Sequence, residues 1–171
     1  MAFSKNIIVI DVDGVLTDGM YNISSDGVIT KSFYTRDFWA IEKATTSGFD
    51  VIILTSSSDG CINKKVMSLG NNKVKVESCV SDKITWMENI IFTERKLNWS
   101  NVIYIGDSEN DIACMANAKL TGCPSDAIPS IKKLSHYIAE AKGGKGAVYE
   151  IITKLLNGAF SYYFEGNQNV I

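Results

Sequence analysis

The chain has 171 residues, of which 46% are hydrophobic and 21% charged, with a formal net charge of −2. That length suits a single domain able to bury a core, and the balanced charge excludes a broad basic surface for nucleic acid. No apolar run approaches the length of a membrane span, and the N-terminal one is too short for a secretory signal and breaks at Asp11, so a cytoplasmic protein is expected.

The first element is NIIVI (6–10), a continuous aliphatic run of the kind found in a buried parallel strand. It ends in DVDGVLTDG, which crowds Asp11, Asp13 and Asp18 together; like charges that close are destabilising unless a cation or charged ligand sits among them. MYNISSDGVITKSFY (20–34) alternates at period two around Asp26-Gly27 and predicts a β-hairpin. RDFWAIEKATTSG then reads as a helix closed by Gly48, DVIIL (50–54) as a second buried strand, and GCINKKVMSLG as a helix closed by Gly70. KVKV (73–76) is a weaker strand signal. SDKITWMENIIFTERKLN predicts a long helix capped by Ser81, with Ile84, Met87 and Ile91 on one face. VIYI (102–105) is the third buried strand, KLTG (119–122) and HYIA (136–139) are weaker ones, and AVYEIITKLL (147–156) is the last helix. The alternation implies an α/β fold, a Rossmann-like three-layer αβα sandwich around a mainly parallel sheet, with the hairpin inserted after the first strand. One domain over 1–156 is expected, followed by an aromatic tail over 157–171 that is either disordered or docks on a neighbouring subunit.

Four cysteines (Cys61, Cys79, Cys114, Cys123) lack any CxxC pairing and read as reduced thiols; the single His136 has no catalytic partner beside it and reads as structural or exposed.

In an open parallel sheet, ligands bind beyond the carboxyl ends of the strands. Those ends carry Asp11 and Asp13, then Thr55 and Ser56, then Gly106-Asp107 with Asp111 one helical turn later, while Lys83 opens the helix that follows SCVSD. Hard oxygen ligands without His or Cys favour Mg²⁺, with Asp11 and Asp107 as its expected direct ligands, Asp13 facing the same centre, and Asp111 reaching it directly or through water. Asp11 can attack phosphorus to form an aspartyl-phosphate, and Asp13 can protonate the leaving alkoxide and later activate water. Thr55 and the N–H groups of the loop after it can hold phosphate oxygens, and Lys83 adds positive charge where negative charge develops.

With those residues in order, the chain resembles the haloacid dehalogenase superfamily, whose four motifs match DVDGV, Thr55, Lys83 and GDSEND. DVDGVLTDG, the hairpin and KGGKGAVYE are similar to its capless branch, the phosphatases of 3-deoxy-octulosonate 8-phosphate and of nine-carbon ulosonate 9-phosphates, over about residues 6–156. The short interval between the first two motifs independently leaves no room for a cap domain. The resemblance implies a magnesium-dependent phosphatase of a sugar-acid phosphate. It also implies a homotetramer in which hairpins form a shared barrel and a neighbour covers each active site. FYTRDFWAI then resembles a substrate loop, with Arg36 and Asp37 as candidate sugar contacts beside Asn110; a guanidinium fork suits an ulosonate carboxylate, and Arg36 reads equally as a solvated residue near a helix start. Phe38, Ala40, Ser56, Ser57, Lys145 and Tyr149 depart from the branch where the sugar is selected. Two other readings stay open: a phosphatase of another small phosphomonoester, and a catalytically silent assembly module like the tail domain of sialic-acid activating enzymes.

Overall fold

Three aliphatic runs make the centre of the molecule. In the computed structural model, which describes residues 6–160, β1 (Ile7–Ile10) pairs in parallel with β4 (Asp50–Leu54) on one side and β6 (Val102–Ile105) on the other. Every residue of β1 and β6 is buried, as expected of strands covered on both faces. β5 (Val74–Glu77) extends the sheet beyond β4, and β7 (Leu120–Cys123) and β8 (Tyr137–Ile138) extend it beyond β6. The order is β5-β4-β1-β6-β7-β8, with all pairs parallel.

Alternate residues of β1 feed two separate cores, because successive side chains leave opposite faces of a strand. Ile8 and Ile10 pack with Phe38 and Ile41 of α1 (Thr35–Thr46), Ile62 of α2 (Cys61–Met67) and Ile151 of α6 (Ala147–Leu156). Ile7 and Val9 pack with Met87 of α3 (Lys83–Glu88), Met115 of α4 (Ile112–Asn117) and Ile131 of α5 (Pro129–Leu134). The result is the expected three-layer αβα sandwich.

The insertion is the hairpin of β2 (Asn22–Ile23) and β3 (Ile29–Thr30), paired antiparallel around Gly27. Its apolar residues face outward: Met20, Tyr21, Ile23 and Val28 are all more than half exposed. Among the described residues nothing else interrupts the layers to form a cap.

Two local expectations need correction. Asp82, not Ser81, caps α3, its carboxylate accepting the Thr85 N–H at 3.2 Å. The helix after Glu88 does not continue as α but widens into a π-helical turn over Asn89–Glu94. Arg95, which follows, pairs with Asp50 at 2.6 Å. His136 is structural: its Nδ1 accepts the Thr121 N–H at 3.1 Å and ties β8 to β7. Of the aromatic tail, Phe160 is buried against Tyr137, ring centroids 5.8 Å apart; residues 161–171 lie outside the described residues.

Candidate active site

Register brings the site together. Ile10 pairs with Ile53 on one side and Ile105 on the other, so Asp11, Thr55 and Asp107 all emerge at the carboxyl edge of three adjacent strands. The Asp11 N–H extends the ladder by donating to the Ile105 carbonyl at 2.9 Å. Beyond it the chain turns sharply, the N–H groups of Val15, Leu16 and Thr17 converging on the Val12 carbonyl while Val15 and Leu16 anchor in the core.

Asp11, Asp107 and Asp111 present carboxylate oxygens within 4.8 Å of one another. Lys83 enters from the start of α3, completely buried, with its ammonium 2.8 Å from Asp11 Oδ1 and 2.8 Å from Asp111 Oδ1. Asp111 is saturated with donors. The Tyr104 hydroxyl donates to its Oδ1 at 2.9 Å, and the N–H groups of Asp107 and Ser108 donate to its Oδ2 at 3.1 and 3.3 Å. It therefore anchors Lys83 and the 106–108 turn, and the oxygens left open belong to Asp11 and Asp107.

The electrostatics agree. Burial, reinforced by Asp111 and opposed by Lys83, raises the Asp11 carboxyl to about 7; burial and Asp111 raise Asp107 to about 7 as well. Asp107 Oδ1 is buried with no hydrogen-bond partner. One ammonium among three carboxylates, with a buried oxygen left orphaned, is a donor set that fits a hard divalent cation. Asp13 is not one of the three carboxylates in this cluster. Its carboxylate, 36% exposed, is gripped by Lys31 at 2.7 and 2.8 Å and touched by the Thr17 hydroxyl at 3.3 Å.

Two glycines let the loops approach this closely. Gly14 adopts φ +92°, and a Cβ there would lie 2.1 Å from Asp107 Oδ2. Gly143 packs beneath the same turn, where a Cβ would lie 1.9 Å from the Gly14 carbonyl oxygen. The KGGKG segment thus buttresses the turn, helped by the Gly144 N–H donating to the Val15 carbonyl at 2.9 Å.

Thr55 is buried, and its hydroxyl oxygen accepts the Ser57 N–H at 3.0 Å, which leaves the O–H hydrogen able to donate. Ser56 is exposed beside it. Asn110 is exposed on the turn before α4, its Oδ1 accepting the Ser108 hydroxyl at 2.9 Å. Arg36 is exposed on α1. Asp37 has a different task from the sugar contact expected of it: it is fully buried, and its Oδ1 accepts the Tyr149 N–H at 2.7 Å, in the first turn of α6. Burial raises its carboxyl to about 6 against the pull of those backbone groups.

Lys31 and Asp59 were not legible as site residues. No motif or spacing singles out either one, yet they pair at 2.5 Å beside Asp13.

Comparison with known proteins agrees with this geometry. A curated relative, the 3-deoxy-D-manno-octulosonate 8-phosphate phosphatase KdsC of Yersinia pestis, is 31% identical over 155 residues, covering 91% of this chain and 81% of the relative. The crystal structure of the 3-deoxy-D-manno-octulosonate 8-phosphate phosphatase from Yersinia pestis superposes with a TM-score of 0.83 at 30% identity, covering 96% of this chain and 86% of that one. The phosphatase of that name from Moraxella catarrhalis, solved in complex with a magnesium ion, a phosphate ion and a KDO molecule, gives 0.83 at 27% identity, covering 95% of this chain and 96% of that one. The haloacid dehalogenase-like hydrolase profile matches residues 56–152, more than half of the chain. With strand ends, buried lysine and sequence relatives all in agreement, this chain belongs to the haloacid dehalogenase-like hydrolases.

Proposed function

We propose that this protein is a magnesium-dependent phosphatase that hydrolyses the phosphate monoester of an ulosonic acid of eight or nine carbons through an aspartyl-phosphate on Asp11. The observation that carries the reading is the buried corner where Asp11 and the orphaned Asp107 Oδ1 face one another beside Lys83. The names of the relatives at 30–31% identity, and the ligands of the Moraxella catarrhalis structure, support a sugar-acid phosphate as substrate.

Asp11 and Asp107 would hold the cation, which when bound supplies positive charge against the phosphate oxygens and keeps the carboxylates ionised. Lys83 holds Asp11 in place by its 2.8 Å contact and adds a second positive charge to the phosphate subsite. Thr55 donates its hydroxyl and Ser56 its N–H to the phosphate from the neighbouring strand end of the same edge. An Asp11 oxygen bonds phosphorus in line with the departing sugar oxygen, which takes a proton from Asp13; Asp13 then takes a proton from the water that attacks the phospho-enzyme. Asn110 and Arg36 on the exposed rim are the sugar contacts of this reading. The outward apolar face of the hairpin supports a homotetramer in which a neighbour roofs the open pocket in the cytoplasm.

The test is phosphate release from eight- and nine-carbon ulosonate phosphates in the presence and absence of Mg²⁺. One of the two is hydrolysed only with metal, and Asp11→Asn abolishes turnover. A wild-type protein that stays inactive on both, and on p-nitrophenyl phosphate, overturns the reading and leaves a silent assembly module in its place.

A further inference from the structure

The hairpin delivers one lysine to the acidic corner that the reaction above does not need. Lys31 follows β3, its side chain only 3% exposed, and its ammonium touches both oxygens of Asp13, Asp59 Oδ2 at 2.5 Å and Ser57 Oγ at 3.5 Å. Asp59 is itself fixed. Its Oδ1 accepts the Cys61 N–H at 2.8 Å and its Oδ2 accepts the Ser57 hydroxyl at 2.6 Å, with 7% of its side chain exposed. Freezing a lysine side chain costs about 1.5–2 kcal/mol of entropy, so a contact this ordered and this buried differs in kind from a solvated surface pair. All three ammonium donors point at groups of the protein itself.

We infer that Lys31, clamped by Asp59, is a positioning residue for Asp13, fixing the carboxyl group that exchanges protons with the leaving oxygen and with water. The inference rests on the phosphatase reading and adds to it a residue whose loss has a distinct signature. When an Asp11 oxygen bonds phosphorus, the bond from phosphorus to the sugar oxygen breaks, its electron pair stays on that oxygen, and the oxygen takes the Asp13 proton. In the second half the Asp13 carboxylate takes a proton from water as the water oxygen bonds phosphorus; the Asp11–phosphorus bond breaks and its electron pair returns to Asp11. Both transfers require an Asp13 oxygen within about 2.6–3.2 Å of the partner oxygen. The last torsion of an aspartate is broad and roughly two-fold, so rotamer preference alone does not hold the carboxyl plane. Two contacts from one buried ammonium do, and they leave the Asp13 side chain 36% exposed. The device also ties the hairpin to the chemistry, because Lys31 leaves β3 directly.

The rival role is a receptor for the substrate's own carboxylate, and leaving-group dependence separates the two. Values of kcat/KM report steps only through departure of the leaving group, so the water step does not mask the first transfer. Three substrates serve: p-nitrophenyl phosphate, whose phenolate leaves without a proton, a primary alkyl phosphate lacking a carboxylate, and the ulosonate phosphate. Lys31→Met lowers kcat/KM about 100-fold on the alkyl phosphate, at the low end of general acid contributions. On p-nitrophenyl phosphate the same variant loses less than about fivefold. Lys31→Arg, which can still grip Asp13 with two N–H donors, recovers part of the alkyl activity. Asp59→Asn moves both substrates in the same unequal way by less, and decides the matter if Lys31→Met does not fold. Equal losses on both non-carboxylate substrates overturn the inference, as does a loss confined to KM for the ulosonate phosphate. Wild-type inactivity on all three instead overturns the phosphatase reading beneath it.

Discussion

Replacing Lys83 by methionine probes the acidic corner most sharply. The side chain is wholly buried and its ammonium lies 2.8 Å from both Asp11 and Asp111, so the variant leaves three carboxylates facing one another with no cation. Removing one partner of a buried ion pair costs about 3–5 kcal/mol. At about 2–4 °C per kcal/mol for a domain of this size, that is a fall of roughly 6–20 °C in Tm in chelator. The pH dependence fixes the sign. Burial and Asp111 raise the folded Asp11 carboxyl from 3.8 to about 7 while Lys83 pulls it down. An acid raised on folding binds its proton more tightly in the folded state, so its contribution is full at low pH and is lost as pH rises through about 7. Without Lys83 that loss deepens. The deficit of Lys83→Met, measured by urea unfolding, is therefore larger at about pH 8 than at about pH 5.5, where the proton substitutes for the ammonium. Mg²⁺ binding the folded state recovers part of it. A deficit equal at the two pH values, or larger in acid, refutes the reasoning.

Two further substitutions test the surroundings. Gly14→Ala places a methyl group 2.1 Å from Asp107 Oδ2 at a backbone φ of +92°, so it displaces that carboxylate and weakens Mg²⁺ affinity by at least about tenfold in calorimetric titration; unchanged affinity removes Asp107 from the metal site. Asp37→Asn keeps an acceptor for the Tyr149 N–H but removes a carboxyl that burial raises to about 6, whose contribution to stability is present below about pH 4 and lost as pH rises through 6. The variant flattens that slope in urea unfolding and leaves KM for substrate unchanged; a tenfold rise in KM would return Asp37 to the role of sugar contact.

What was legible in the sequence is what short-range pattern encodes. The runs at 6–10, 50–54 and 102–105 read as buried strands because their apolar residues are continuous, and parallel pairing then put Asp11, Thr55 and Asp107 on one edge. Lys83 was legible as a lysine opening a helix on the same side. The rest depends on contacts between distant residues. Lys31 meets Asp13 and Asp59 only because the hairpin folds back over the sheet edge, and no local spacing announces a partner 18 or 28 positions away. Asp37 sits in what resembles a substrate loop, yet α6 arrives from the end of the chain with an N-terminus that needs an acceptor, and tertiary packing claims the carboxylate. The cap of α3 went to Asp82 over Ser81 because its carboxylate reaches the Thr85 N–H, a choice of one residue that pattern does not resolve. Asp111 was placed near the metal by spacing, and it does stand in the carboxylate cluster; its hydrogen bonds from Tyr104 and Lys83 depend on tertiary packing and were not legible.

Asp11 is the residue proposed to carry the phosphoryl group. Protein quenched in acid during turnover of the ulosonate phosphate and digested with pepsin should yield one phosphorylated peptide, the one containing Asp11, and none from Asp11→Asn. A phosphoryl group on any other residue, or vigorous turnover by Asp11→Asn, would contradict the account.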